Sequence, residues 1–253
     1  MEKISKAQVK LVKSLQLKKF RDELNLFVAE GDKCVSELTK SFELVHLYIH
    51  SEAINGEAYQ REAIIVPKEQ LEQMSGLRAP QGVIGVFRKS KIENQKSKIE
   101  NLTLALDGIQ DPGNLGTIIR TCDWFGVHDI FCSLDTADCY NPKVVQATMG
   151  ALARVRVHYV DLPAWLADQK CAIYGTLLDG KDMYDELSTL DSRLSTSIIV
   201  MGNEGNGISQ EVRKLITHPI RIPSYPKNAE TSESLNVSIA TAIVLAEFRR
   251  IGS

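Results

Sequence analysis

The run from Leu102 to Arg120 constrains this chain most. Leu102-Thr-Leu-Ala-Leu106 is apolar and short, which predicts a buried strand. Asp111-Pro112-Gly113 then breaks the run with strong turn chemistry. Asn114 is a good helix N-cap, and Ile118, Ile119, Cys122 and Phe125 follow at helical spacing up to a stop at Gly126. The pattern is strand, tight turn, helix, with Asn114 at the mouth and Arg120 about two turns in. A loop beyond the carboxyl end of a strand is where open α/β sheets take ligands.

From Leu102 onward the alternation continues. Strands are predicted at Val127–Cys132, Val155–Val160, Cys171–Leu178, Ser197–Met201 and Pro219–Ile222. Helices are predicted from Asn141-Pro142 to about Ala153, after Ser209, and from Leu235 to about Ile251. Strands separated by helices imply a parallel sheet covered on both faces. Residues 1–88 read as a separate small α/β domain: a basic helix, strands at Phe27–Ala29, Leu44–Ile49, Ala63–Val66 and Gly82–Phe87, and a helix over Asp32–Leu38. Residues 89–101 hold the near repeat Ser90-Lys-Ile-Glu-Asn-Gln-Lys, Ser97-Lys-Ile-Glu-Asn and read as a polar linker, leaving 102–253 as the second domain.

At 43% hydrophobic and 25% charged residues, the 253-residue chain has an ordinary globular composition. No apolar run approaches the roughly 20 residues of a membrane span, and no secretory signal opens the chain. Five cysteines without a C-x-x-C pair argue against a disulfide framework or a zinc site, so no metal is expected and reduced, cytoplasmic thiols are. The net charge of −2 announces no nucleic-acid partner, but its distribution is uneven. Lys3, Lys6, Lys10, Lys13, Lys18, Lys19 and Arg21 stand against Glu2 alone, and Lys6, Lys10 and Lys13 share a helical face. Such a stripe could contact phosphates or form the solvated side of an amphipathic helix.

Two further loops carry chemistry. Met201-Gly202-Asn-Glu204-Gly205-Asn-Gly207 puts a G-x-x-G-x-G turn after a buried strand, and glycines let backbone approach a ligand closely. The order differs from the G-x-G-x-x-G of dinucleotide folds and no P-loop lysine follows, which disfavours nicotinamide and nucleoside triphosphate enzymes. Glu204 is placed to orient a base or an arginine. Ser234 is expected to cap the last helix, with Leu235 and Asn236 in its first turn.

Together, Asn114-Leu-Gly-Thr-Ile-Ile-Arg120, the Gly202 loop, Ile222-Pro223 and Ser234-Leu-Asn-Val-Ser238 resemble the SpoU/TrmH family of RNA ribose 2′-O-methyltransferases, of the SPOUT class. The resemblance covers Leu102 to the end. Lys18-Lys-Phe-Arg21, Phe27-Val-Ala-Glu-Gly31 and Ala79-Pro-Gln-Gly82 resemble the substrate-binding domain of many members, itself similar to ribosomal proteins that hold kinked RNA.

The resemblance implies a trefoil-knotted α/β fold, an exception to the rule against knots. It further implies a homodimer through the catalytic domain, S-adenosylmethionine as methyl donor, and structured RNA, ribosomal above all, as substrate. Transfer RNA, or a non-catalytic RNA-binding protein on the same fold, are the alternatives. Gly202, Ile222 and Leu235, with Thr176 and Leu177, would line the cofactor; Asn114, Arg120, Glu204, Ser234 and Asn236 would form the reacting site; Lys10, Lys13, Lys18, Lys19 and Arg21 would contact RNA. One departure stands out: the stretch between Ile222-Pro223 and Ser234 is longer than usual in the family and lacks its glycine.

Overall fold

The computed structural model describes residues 4–50, 63–90, 102–188, 196–226 and 232–251. Of the predicted linker 89–101, residues 91–101 lie outside the described residues. In chain order the elements are α1 (Lys6–Ser14), α2 (Lys18–Leu24), β1 (Leu26–Glu30), α3 (Asp32–Leu38), β2 (Leu44–His50), β3 (Ala63–Val66), α4 (Lys68–Met74), β4 (Val83–Arg88), β5 (Thr103–Asp107) and α5 (Pro112–Trp124). There follow β6 (Asp129–Ser133), α6 (Pro142–Thr148), β7 (Arg156–Val160), α7 (Leu162–Ala167), β8 (Ala172–Asp182), α8 (Met183–Ser188), β9 (Ser197–Gly202), α9 (Gln210–Arg213), β10 (His218–Arg221) and α10 (Val237–Ile251).

The chain divides into two compact units, Met1–Ile92 with Asp138–Arg154, and Glu93–Ala137 with Val155–Ser253. The α6 segment thus packs with the N-terminal residues rather than with the strands that flank it in sequence.

The first unit is built on a mixed sheet in the order β1-β4-β2-β3, with β1 and β2 antiparallel to β4 and β3 parallel to β2. Every residue of β1 is buried. Phe27 stacks on Phe87 at 5.5 Å and meets Tyr140 at 4.8 Å, fixing the α6 segment against the sheet. Ser5 and Gln8 form a capping box that starts α1, and Val12 on its inner side joins the core with Leu15. The predicted helix through Ala153 stops at Thr148: Met149 and Gly150 turn left-handed at φ 52° and 90°, and a 3₁₀ turn covers Ala151–Ala153. A Cβ on Gly150 would lie 2.5 Å from Cβ of Glu37, so the chain must bend there to clear α3.

Arg21 corrects the sequence reading. It is 1% exposed, not on the basic surface. Its guanidinium donates to Asp138 at 2.7 and 3.1 Å and to the carbonyls of Leu15 and Gln16. All of its ion-pairing capacity is spent inside the unit, so it is not an RNA contact. Lys10, Lys13, Lys18 and Lys19 are exposed, with Lys18 paired to Asp22.

The second unit is a six-stranded, wholly parallel sheet in the order β10-β8-β9-β5-β6-β7. β5 is buried throughout and β9 all but its last residue, which explains their unbroken apolar runs. Ala105, Phe131, Ile173, Ile198 and Val200 pack with Leu162 and Leu166 of α7 and Val212 of α9. Tyr174 follows Ile173 and so points to the other face, where its ring meets Phe248 of α10 at 4.9 Å. Helices therefore cover both faces. At the amino ends of β6 and β7, Asp129 accepts from Arg156 and His158. Burial would raise its carboxyl, but these two hydrogen bonds outweigh burial and hold it at about 2. This charged cluster ties the sheet edge at the end away from the ligand loops. Among the described residues no helix is long and apolar enough to cross a membrane.

Candidate active site

The strand order sets where a ligand can enter. From β5 the chain runs through α5 to β6 on one side; from β9 it runs through α9 to β10 on the other. β5 and β9 are neighbours, paired in register from Thr103–Ile198 to Asp107–Gly202. Their loops diverge at the carboxyl end, which is the topological switch point of the sheet.

Asp111, not Asn114, caps α5. Its backbone is extended, its carboxylate accepts the Asn114 N–H at 2.8 Å, and Pro112 takes the first helical position. A proline without an N–H fits that position better than an Asn would. The change has a consequence: it leaves the Asn114 side chain free of capping. Its Nδ2 donates to a carboxylate oxygen of Glu204, and its Oδ1 accepts from Nδ2 of Asn236 at 2.9 Å. Asn236, by contrast, sits just outside its helix, as the cap of α10. Its Oδ1 accepts from the backbone and hydroxyl of Ser238 at 3.0 and 2.6 Å. Three segments distant in sequence thus meet in one polar chain, Asn236–Asn114–Glu204.

The loop holding Glu204 is rigid for local reasons. The backbones of Asn203 and Gly207 exchange hydrogen bonds at 3.0 and 2.9 Å. The Asn203 side chain accepts from the amides of Gly205 and Asn206 and donates to the carbonyl of Gly108, which joins the β9 loop to the β5 loop. Asp107, buried at the end of β5, accepts the Ser209 N–H at 2.7 Å. Ser133 at the end of β6 accepts the Gly108 N–H at 2.8 Å. Gly108 and Gly207 have φ of 71° and 66°, where a side chain would be strained. Gly202 needs its missing Cβ for another reason: that atom would lie 2.4 Å from the backbone carbon of Gly207.

The remaining expected site residues are placed less closely. Thr176 donates to the Val200 carbonyl at 3.2 Å, tying β8 to β9 just past their paired residues, and Leu177 is half-buried beside it. Ile222 is half-buried just past β10. Ser234 and Leu235 are exposed and precede α10, so the expected Ser234 cap and the expected first-turn positions of Leu235 and Asn236 are corrected. An Asn whose oxygen reaches two positions ahead out-competes the serine. Arg120 is exposed on α5 and pairs with no described residue.

Asp107, Asp111, Asn203 and Ser133 were not among the expected site residues. Asn203 had a visible signal, since Asn before Glu-Gly-Asn-Gly is turn-forming. The Asp111 bond is a local cap, while those of Asp107 and Ser133 join segments whose contact only the fold creates.

A parallel α/β sheet with its polar cluster at the switch point defines the class. Residues 101–246 match the SpoU rRNA Methylase family, and the chain belongs to that family of methyltransferases. Residues 6–85 match the MRM3-like substrate binding domain. The chain is 28% identical to the 23S rRNA (guanosine(2553)-2′-O)-methyltransferase RlmP of Bacillus subtilis, over 98% of both chains. It superposes on a TrmH-family protein of Porphyromonas gingivalis with a TM-score of 0.83 at 37% identity, covering 98% of this chain and 99% of that one. The AdoMet-bound rRNA methyltransferase of Sinorhizobium meliloti gives a TM-score of 0.83 at 29% identity, covering 99% and 97%.

Proposed function

We propose that this protein transfers a methyl group from S-adenosylmethionine to a guanosine ribose 2′-hydroxyl of 23S ribosomal RNA. The observation that carries the reading is the Asn236–Asn114–Glu204 chain at the switch point. Full-length similarity to a ribosomal guanosine methyltransferase supports the substrate class, and a family neighbour with AdoMet bound supports the cofactor.

The residues present fit the cofactor. Gly202 and Gly207 leave bare backbone at the end of β9, and no described atom lies within 4 Å of where a Gly207 Cβ would be. Thr176 and Leu177 follow the stretch of β8 that pairs with β9, Ile222 lies just past β10, and exposed Leu178 and Leu235 add apolar surface. Apolar walls suit a group that loses positive charge as it reacts. The cofactor would supply the electrophilic methyl, and the chain would supply positioning and charge.

Asn114 is committed at both ends of its amide, so its position is fixed before substrate arrives. Glu204 is the one ionisable acid of the reacting set. Arg120 is effectively always protonated and cannot serve as a base. It clamps the neighbouring phosphate and stabilises charge developing on the ribose oxygen. The hydroxyl proton passes to that phosphate or to a nearby side-chain oxygen, with Ser234 and Asn236 lining the approach.

The same reading includes three features of assembly. The catalytic domain, 102–253, is a trefoil knot, and 1–88 grips RNA across the 89–101 linker. Two copies pair through the catalytic domain. Trp124 of α5 is 85% exposed and Ile239 of α10 is 53% exposed, and the two helices pack side by side, with Arg249 bonded to the Phe125 carbonyl. A helix apolar on its outer as well as its inner side is one that expects a second cover. The protein works in the cytoplasm, where ribosomal RNA is modified.

The experiment is transfer of labelled methyl to unmodified 23S rRNA transcript, with the modified ribose mapped and S-adenosylmethionine binding measured by calorimetry. Binding of NAD with no response to S-adenosylmethionine, or cofactor binding without transfer to any ribosomal RNA, would overturn the reading.

A further inference from the structure

We propose that Tyr225 is a stacking platform for an unpaired nucleobase of the RNA, beside the reacting ribose. The inference rests on the function proposed above. Tyr225 is 90% exposed, the highest value among the large hydrophobic side chains of the described residues. No described residue offers it a ring contact or a hydrogen bond. A phenol ring left in water forgoes the burial that most tyrosines obtain.

Its place in the fold says what would cover it. Tyr225 lies four residues past the end of β10, at the carboxyl edge of the sheet, between Ile222 and the Asn236 that bonds to Asn114. Three residues reach at most about 10 Å, so the ring stays near the mouth of the cofactor loops. Pro223 and Pro226 flank it, and each fixes its own φ, which lowers the entropy cost of holding the ring outward. A ribose hydroxyl can be methylated only when its nucleotide is splayed from its neighbours, and splayed bases stack on aromatic side chains. An aromatic ring offers a face to a base and no charge to a phosphate, which favours the base.

The test uses the full-length protein with Tyr225→Ala, Tyr225→Phe and Tyr225→Trp, unmodified 23S rRNA transcript, and saturating S-adenosylmethionine. Loss of the ring should raise the RNA concentration at half-maximal single-turnover transfer by about five- to a hundredfold, the range of one lost base stack. Phe and Trp should stay near wild type. The dissociation constant for S-adenosylmethionine and the oligomeric state should not move in any variant. An unchanged RNA dependence in Tyr225→Ala overturns the inference. So does a weakened cofactor, which would assign the ring to adenine, and so does a change in oligomeric state, which would assign it to a second copy. A wild-type protein that transfers no methyl to ribosomal RNA fails the function reading itself; transfer by wild type with an indifferent Tyr225→Ala fails only this inference.

Discussion

Replacing Gly202 by Ala tests whether the β9 loop is held by backbone contact alone. The added Cβ would stand 2.4 Å from the Gly207 carbon, 2.5 Å from the Ile208 nitrogen and 2.6 Å from the Gly207 oxygen. All three are backbone atoms, so no side chain can rotate away. Reaching an ordinary contact of 3.4 Å requires the Gly207 strand of the loop to retreat by about 1 Å. That motion breaks the paired Asn203–Gly207 hydrogen bonds at 3.0 and 2.9 Å. Two such bonds contribute about 1 kcal/mol each, and residual overpacking costs about 1–3 kcal/mol. A loop destabilised by about 3–5 kcal/mol stays open in a protein that otherwise folds, because typical domains hold about 5–15 kcal/mol. Cofactor affinity should then fall by at least about a hundredfold, since the competent loop is rarely populated. Gly205→Ala is the control: its nearest neighbour would be Asn203 Oδ1 at 3.5 Å, an ordinary contact. Calorimetry with S-adenosylmethionine reads both variants, and circular dichroism checks the fold. Gly202→Ala binding within threefold of wild type would refute the reasoning, as would Gly205→Ala losing as much.

Arg120→Lys should bind S-adenosylmethionine normally yet lose about a hundredfold or more in single-turnover transfer, because a point charge replaces a planar fork of donors. Changing Lys10, Lys13, Lys18 and Lys19 together to Gln should weaken RNA binding and flatten its salt dependence while sparing cofactor affinity; an unchanged salt slope would return them to a solvated face. Arg21→Met leaves the partly buried Asp138 without its ion pair and should destabilise the first unit, by up to about 3 kcal/mol in urea melts, with Arg21→Met/Asp138→Leu recovering much of the loss.

The sequence made the second unit legible because its signals are local. The apolar runs of β5 and β9 encode burial on both faces; in the first unit, Asn141-Pro142 likewise encodes a helix start that the structure keeps. Helix ends were harder where two capping residues compete. Asp111 and Asn114 are both good caps, and the proline between them decides for Asp111; Ser234 and Asn236 compete in the same way. Arg21 was misread because a cation in a basic stretch is indistinguishable, in one dimension, from its neighbours. Its partner Asp138 is 117 residues away. Asp107 and Ser133 read as strand ends; that each accepts a loop amide depends on strand order, which no local pattern carries.

The caps also explain how one helix serves two directions. With Asp111 at the cap, Asn114 lies in the first turn of α5 and turns inward to Glu204 and Asn236. Arg120 is six residues on, and at about 100° per residue it points some 120° away from Asn114 around the helix. It shares that outer side with Trp124, one turn further and largely exposed. An arginine meant for its own subunit's Glu204 would sit at a spacing of three, four or seven from Asn114. The observed spacing instead sends the guanidinium to the side of α5 that exposes Trp124. If two copies pair there, as proposed, Arg120 enters a site whose amide chain belongs to the other copy. On that proposal, the order of the two residues on α5 would make pairing of two copies a requirement of the chemistry.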